Sequence, residues 1–299
     1  MARTTRHLKE RGIETWLLGC ALVSILTTAG IVWVLVSESV SFFTEVSPLA
    51  FLFGTRWEPL IEPRRFGVLP LLGGTFIVAL GALLIAVPVG IASALFLSEY
   101  APHTVRAILK PLLEILAGIP TVVYGYFAVT FITPDVLKPL FGSDRVDTFN
   151  AASAAIVVAV MIIPTISSLC DDAFRAVPRT LREGAYALSA TRLEVATRVV
   201  LPAGLSGVIA AVLLALARAI GETMAVALAA GMSPNLSCNP LETTQTMTAY
   251  IVQVSMGDTP AGTVEYQTIF AVGLLLFVVT LAINLLAHRV LARFREVYE

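Results

Sequence analysis

Long apolar runs separated by short polar segments organise the chain. Six of them are long enough to cross a hydrocarbon core of roughly 30 Å, which takes about 20 helical residues. They cover 16–36, 69–97, 108–132, 152–169, 203–232 and 269–288. No segment alternates apolar and polar positions like a barrel strand, and backbone polar groups in lipid must be bonded within their own segment. Each run is therefore expected as a membrane-spanning helix, giving an all-α membrane protein with six spans. The third run is interrupted: Glu114 lies inside it, and Pro120 between Gly118 and Gly125 invites a kink. Pro88 with Gly90, and Pro164, are expected to bend or locally unwind the second and fourth runs. In the fifth run small residues recur four apart, at Ala203 and Gly207, Ala211 and Ala215, and Ala217 and Gly221. That spacing predicts close helix packing.

Composition agrees with the pattern. Of the 299 residues 57% are hydrophobic and only 14% charged, and the mean hydropathy is +0.85, against about 45–50% and 25% in a soluble domain. The net charge of −1 conceals an uneven distribution. Arg3, Arg6, Lys9, Arg11, Arg106, Lys110, Arg175, Arg179, Arg182, Arg192, Arg198, Arg289, Arg293 and Arg295 fall in one set of connecting segments. The opposite set holds only Arg56, Arg64, Arg65, Lys138 and Arg145. Fourteen against five predicts both termini in the cytoplasm and leaves 37–67, 133–150 and 233–265 outside. The basic N-terminus ahead of an apolar run superficially resembles a secretory signal. The run is too long for one, and 37–39 is a poor cleavage site, so an uncleaved first span is expected.

Several function classes are disfavoured. No basic, aromatic-interleaved face suggests nucleic acid. Cys20, Cys170 and Cys238 have no metal-ligand spacing, and His7, His103 and His288 lie near ends or loops. No Gly-rich phosphate loop of the nucleotide-binding type occurs. No enzyme activity or cofactor of the chain's own is expected, and the chain is expected to be bedded in membrane lipid.

The connection between spans four and five, 171–202, is arginine-rich. From Arg179 to Arg198 it carries apolar residues at Leu181, Ala185, Leu188, Leu193 and Val195, which predicts a short amphipathic helix or helix pair interrupted near Ser189. A helix lying on anionic lipid is one reading of such a pattern. The residues read Glu183-Gly184-Ala185, three residues, Ser189, nine residues, then Val199-Val200-Leu201-Pro202. This resembles the coupling loop of ABC importer permeases, Glu-Ala-Ala, three residues, Gly, nine residues, Ile-x-Leu-Pro. Every spacing is kept. Gly184 stands for Ala, Ser189 for Gly and Val199 for Ile, and Ser189 is expected to stiffen the break. In that family the segment docks into a groove on the ATP-hydrolysing subunit.

The fifth run also contains Arg218-Ala219-Ile220-Gly221-Glu222-Thr223-Met224. Counted from Ala203 as one helix, Arg218 lies roughly 22 Å along, with Glu222 one turn further on the same face. A charge at the centre of a bilayer costs at least about 2.5–3.5 kcal/mol, so lipid exposure is disfavoured. The plainer alternative is an internal salt bridge that pins the helix. The functional reading is a translocation site, with Arg218, Glu222 and Thr223 along the path. A guanidinium stays charged and offers paired donors to an oxyanion. A neighbouring carboxylate neutralises it when the path is empty, and accepts a hydrogen bond from protonated phosphate, which sulfate cannot offer.

Three stretches closely resemble the permeases of phosphate-specific ABC importers: Ala217 to Val226, Gly118 to Gly125 with Ile119-Pro120-Thr121, and Met247 to Gln253. Met224-Ala225-Val226 and the last loop favour the C-type over the A-type subunit. The resemblance covers roughly 66–299 and implies the type-1 importer permease fold. It divides the chain into 1–67 (first span and outer loop), a permease domain at 68–290 and a tail at 291–299. It implies an A-type permease, two ATPase subunits carrying ATP and Mg, and an extracytoplasmic phosphate-binding protein as partners. A permease for sulfate or molybdate is the nearest rival. An ion-driven secondary transporter would show repeats with paired broken helices, which the sequence lacks.

Overall fold

A computed structural model describes the backbone of residues 2–294 and the side chains of residues 12–290. The basic residues expected to fix the N-terminus, Arg3, Arg6, Lys9 and Arg11, and the tail 291–299 lie outside the described side chains.

The chain begins with a long helix, α1 (Ala2–Glu45), then a short α2 (Pro48–Phe53) and a two-stranded antiparallel hairpin, β1 (Trp57–Glu58) with β2 (Arg65–Phe66). Next come α3 (Leu69–Leu95), extended by a π-type segment Phe96–Tyr100, and α4 (His103–Gly118). Then α5 (Thr121–Phe127) continues through a π-type stretch, Ala128–Leu137, into α6 (Lys138–Phe141), followed by α7 (Ala151–Ala176). After these are α8 (Arg179–Ala187) and α9 (Arg192–Glu194), which runs through a π-type segment Val195–Val200 into α10 (Leu201–Ala203). The chain continues with α11 (Leu205–Ile220), α12 (Met224–Ala229), α13 (Met247–Ser255) and α14 (Val264–Phe294).

Among the described residues, four helical stretches are long and apolar enough to cross a membrane: Gly12–Glu45, Leu69–Tyr100, Ala151–Ala176 and Val264–Val290. Two bent pairs raise the count to six if each is a single span. His103–Gly118 meets Thr121–Phe141 at 86°, and Arg192–Ala203 meets Leu205–Ile220 at 71°. The third run is thus an elbow, not a gently kinked rod. Its cause is local: Pro120 disfavours helical backbone at the residue before it, and Ile119 and Pro120 are both extended, with ψ of 131° and 134°. Pro88 and Pro164, in contrast, sit inside helices whose assignment is unbroken.

The centre of the bundle is α7, packed along α3 and α11. Ala79, Ala82 and Ala86 of α3 face Ala154, Val158 and Ile162 of α7, all fully or almost fully buried. The small residues of α11 serve the close packing their spacing predicts: Ala211 and Ala215 are fully buried, and a Cβ on Gly207 would collide with Ala173 of α7. A second core is aromatic. Phe42, Phe51, Trp57 and Tyr250 join α1, α2, the hairpin and α13, with Trp57 and Tyr250 edge-to-face at 4.9 Å. From Gly12 to Ala29, by contrast, α1 buries nothing in this chain.

Candidate functional site

The fifth run does not form one helix. It stops at Ile220 and resumes at Met224, and Gly221, Glu222 and Thr223 form the link. Glu222 therefore does not stand one turn beyond Arg218 on a shared face. Its Oε1 accepts from the backbone N–H of Ala225 at 3.1 Å, in the first turn of α12. The first amides of a helix lack partners and attract negative charge, so a carboxylate just ahead of α12 turns to cap it. The Glu222 carbonyl accepts from the Thr248 hydroxyl at 2.7 Å, and the Thr223 hydroxyl donates to the Gly221 carbonyl at 3.1 Å.

Arg218 occupies the last turn of α11, where a cation complements the helix dipole. It is partly exposed. Its Nη1 donates to Thr165 Oγ1 of α7 at 3.0 Å, and among the described residues no ion pair includes it. The pinning salt bridge is therefore absent there. A guanidinium has five N–H donors, and Thr165 takes one of them. The rest of the fork has no protein acceptor among the described residues.

Two elements frame the break. Gly125 of α5 lies against α12: a Cβ there would approach Leu228 Cβ to 2.8 Å and the Ala225 carbonyl to 3.0 Å. Tyr124 is buried, and its hydroxyl donates to the Leu116 carbonyl at 2.7 Å, closing the elbow between α4 and α5. Both residues thus pack and brace. On the other side the buried segment 244–248 threads along α3, where the Met247 N–H donates to Thr75 Oγ1 at 3.0 Å.

The 171–202 segment is the predicted helix pair. Its helices α8 and α9 are divided at Ser189, which has φ of 63°, the left-handed region. The Ala190 N–H donates to the Ala185 carbonyl at 3.2 Å and the Ser189 N–H to the Tyr186 carbonyl at 2.9 Å. This is a Schellman cap, whose left-handed position favours glycine. Thr191 and Glu194 then form a capping box that starts α9. Glu183, Gly184 and Pro202 are exposed, Ala185 and Leu201 pack partly against the core, and Leu188 stands 85% exposed at the break.

Sequence reasoning missed Thr165, Thr248, Arg182 and Glu99. Arg182 donates to Glu99 and to two carbonyls of the α7 end. A hydroxyl just after Pro164 in an apolar run was the one signal available for Thr165. The others are set by tertiary contact. Among the described residues no cluster is arranged to hold a metal ion.

The family described as "Binding-protein-dependent transport system inner membrane component" matches residues 86–296. The chain belongs to this family. It is a permease subunit, as its relatives are, and not an enzyme. It is 37% identical over 294 residues to the probable ABC transporter permease protein YqgH of Bacillus subtilis, covering 98% of this chain and 94% of the relative. It is 36% identical over 296 residues to the phosphate transport system permease protein PstC of Xylella fastidiosa, covering 90% and 89%. Among solved structures it resembles a chain of a bacterial alginate ABC transporter in complex with its periplasmic protein, with a TM-score of 0.60 at 19% identity, covering 89% and 92%. A chain of the inward-facing MetNI methionine ABC transporter gives 0.56 at 19%, covering 77% and 95%. These two likenesses establish the type-1 importer permease fold.

Proposed function

We propose that this chain is the C-type permease of an ATP-driven importer that carries inorganic phosphate into the cytoplasm by alternating access. The observation that carries the reading is Arg218: a guanidinium at a helix break, held by one hydroxyl, with the rest of its fork unspent. A tetrahedral oxyanion fits those donors. Thr165, which accepts from Arg218, still has its own proton to give to a phosphate oxygen. Glu222 and Thr223 follow in the link after α11, and in this reading the Glu222 oxygen that does not cap α12 accepts from a protonated oxyanion. The names of the Xylella fastidiosa relative and of similar permeases support phosphate as the cargo.

In this reading each bent pair is one span, so six spans cross the bacterial inner membrane and both termini face the cytoplasm. The excess of basic residues in the connections assigned to that side supports the orientation. The permease domain occupies 68–290. Glu183, Gly184, Ala185, Ser189, Leu201 and Pro202 belong to the segment that docks on the ATPase. The exposed faces of Glu183 and Leu188 support that role. An A-type permease completes the pathway, two ATPase subunits hold ATP and Mg, and an extracytoplasmic binding protein delivers phosphate to the outer loops.

The test is reconstitution of the assembled complex in vesicles. Phosphate is expected to be taken up with ATP hydrolysis, sulfate and molybdate to compete weakly, and Arg218→Ala to abolish uptake. Uptake unaffected by Arg218→Ala sinks the pathway assignment, and equal uptake of sulfate sinks the cargo.

A further inference from the structure

The chain leaves α7 through a joint that is not helical. Val177 and Pro178 are both extended, with ψ of 129° and 138°. The hydrogen-bond ladder that stiffens a helix stops there, so such a joint behaves as a hinge unless something spans it.

One side chain does. Arg182 of α8 turns back, donating from Nη2 to the Phe174 carbonyl at 2.6 Å and from Nη1 to the Val177 carbonyl at 2.6 Å. Carbonyls at the end of α7 have no partner within the helix, and the helix dipole favours a cation there. Its Nε donates to Glu99 Oε1 at 3.2 Å, on the π-type end of α3. The two side chains are only 16% and 7% exposed. A single guanidinium thus ties α8 to both central helices.

The far end of the coupling segment closes on the same residue. Gly204, where the chain turns into α11, lies against the Phe174 ring: a Cβ would come to 2.8 Å of it. Phe174 is fully buried. From there α7 runs unbroken back to Thr165, about 14 Å away, where it holds Arg218.

We propose that Arg182, braced by Glu99, is the latch that makes α8 and α7 move as one body. A push on α8 from the ATPase then reaches the Thr165–Arg218 contact instead of being absorbed at the Val177–Pro178 joint. Arg182 is a positioning residue, since it touches no substrate, and its role rests on the importer reading above. Lysine is a poor replacement. One ammonium on a flexible stem cannot hold two carbonyls and a carboxylate in fixed directions.

The quantity that tests this is the amount of phosphate moved per ATP hydrolysed by the reconstituted complex. Arg182→Gln is expected to lower the ratio at least about 5-fold, the small end of the range for coupled sites, while ATP turnover persists. Arg182→Lys should fall between it and wild type. Glu99→Gln keeps both carbonyl bonds and should lose less than Arg182→Gln. A merely structural role would reduce uptake and turnover together and leave the ratio intact. An unchanged ratio in Arg182→Gln overturns the proposal. If that variant does not assemble, an unchanged ratio in both Arg182→Lys and Glu99→Gln does so. A wild-type complex that moves no phosphate refutes the importer reading instead.

Discussion

Arg218 of α11 reaches across to α7 and donates to the hydroxyl of Thr165 at 3.0 Å, its one hydrogen bond within the described chain. The contact tethers one end of the guanidinium and leaves its other donors without a protein acceptor among the described residues. Thr165→Val keeps the shape and removes the acceptor. A hydrogen bond to a charged group is worth about 1.5–3 kcal/mol, so the KM for phosphate is expected to rise at least about tenfold. Thr165→Ser, which keeps the hydroxyl, should stay near wild type. Uptake kinetics in the assembled complex decide it, and an unchanged KM in Thr165→Val removes Thr165 from the site.

Ser189 holds a conformation that suits glycine. Left-handed backbone costs an L-residue roughly 1–2 kcal/mol, and glycine gives back about 0.5–1 kcal/mol in unfolded-chain entropy. Ser189→Gly is therefore expected to stabilise the protein by about 0.5–1 kcal/mol, and Ser189→Val to destabilise it by more than about 1 kcal/mol. Thermal unfolding in detergent reads both. A lower Tm for the glycine variant contradicts the strain.

Gly125 lets α5 and α12 approach. A side chain there meets Leu228 and the Ala225 carbonyl at 2.8 and 3.0 Å, so Gly125→Val should cost about 1–3 kcal/mol by overpacking. Because α12 carries the amide that Glu222 caps, uptake should fall as well. A variant with wild-type Tm and uptake would show that the contact is loose.

The loop at 235–243 should loosen in acid. Hydrogen bonds from Asn239, Ser237 and Asn235 hold the Glu242 carboxyl below its ordinary value of 4.5. A depressed carboxylate contributes stability that is complete above the ordinary value and lost as pH falls through the lowered folded value. Protection of the 239–243 amides, corrected for the intrinsic pH dependence of exchange, is expected to fall across that interval in wild type. Glu242→Gln should flatten the response, and an equally steep response in that variant would assign the effect to another group.

Much of this was legible in the chain because hydropathy is a local property. The six apolar runs each contain helix, and the 171–202 segment divides at Ser189 as its pattern predicts. Thr191 and Glu194 carry their capping box openly, as Thr-x-x-Glu. What stayed hidden depends on where a helix stops. Met224 to Ala229 is as apolar as the residues before Arg218, so no hydropathy window registers the break at Gly221. The break follows from Glu222 capping an amide of α12 and from Thr248 gripping its carbonyl, a partner 26 residues away. Pro120 announced a bend but not its 86° size, nor the hydrogen bond from Tyr124 to the Leu116 carbonyl that spans it. Thr165 and Arg182 gain meaning only from the side chains and carbonyls that folding brings to them.

The link at 221–223 also sets a phase. A residue added to it or taken from it would shift and turn α12 relative to α11, carrying Ala225 and Leu228 away from the bare face of Gly125. Point changes in these three residues alter chemistry, whereas a change in their number would misalign the whole of α12. The length of the link is therefore a constraint in its own right, separate from the identities of its three residues.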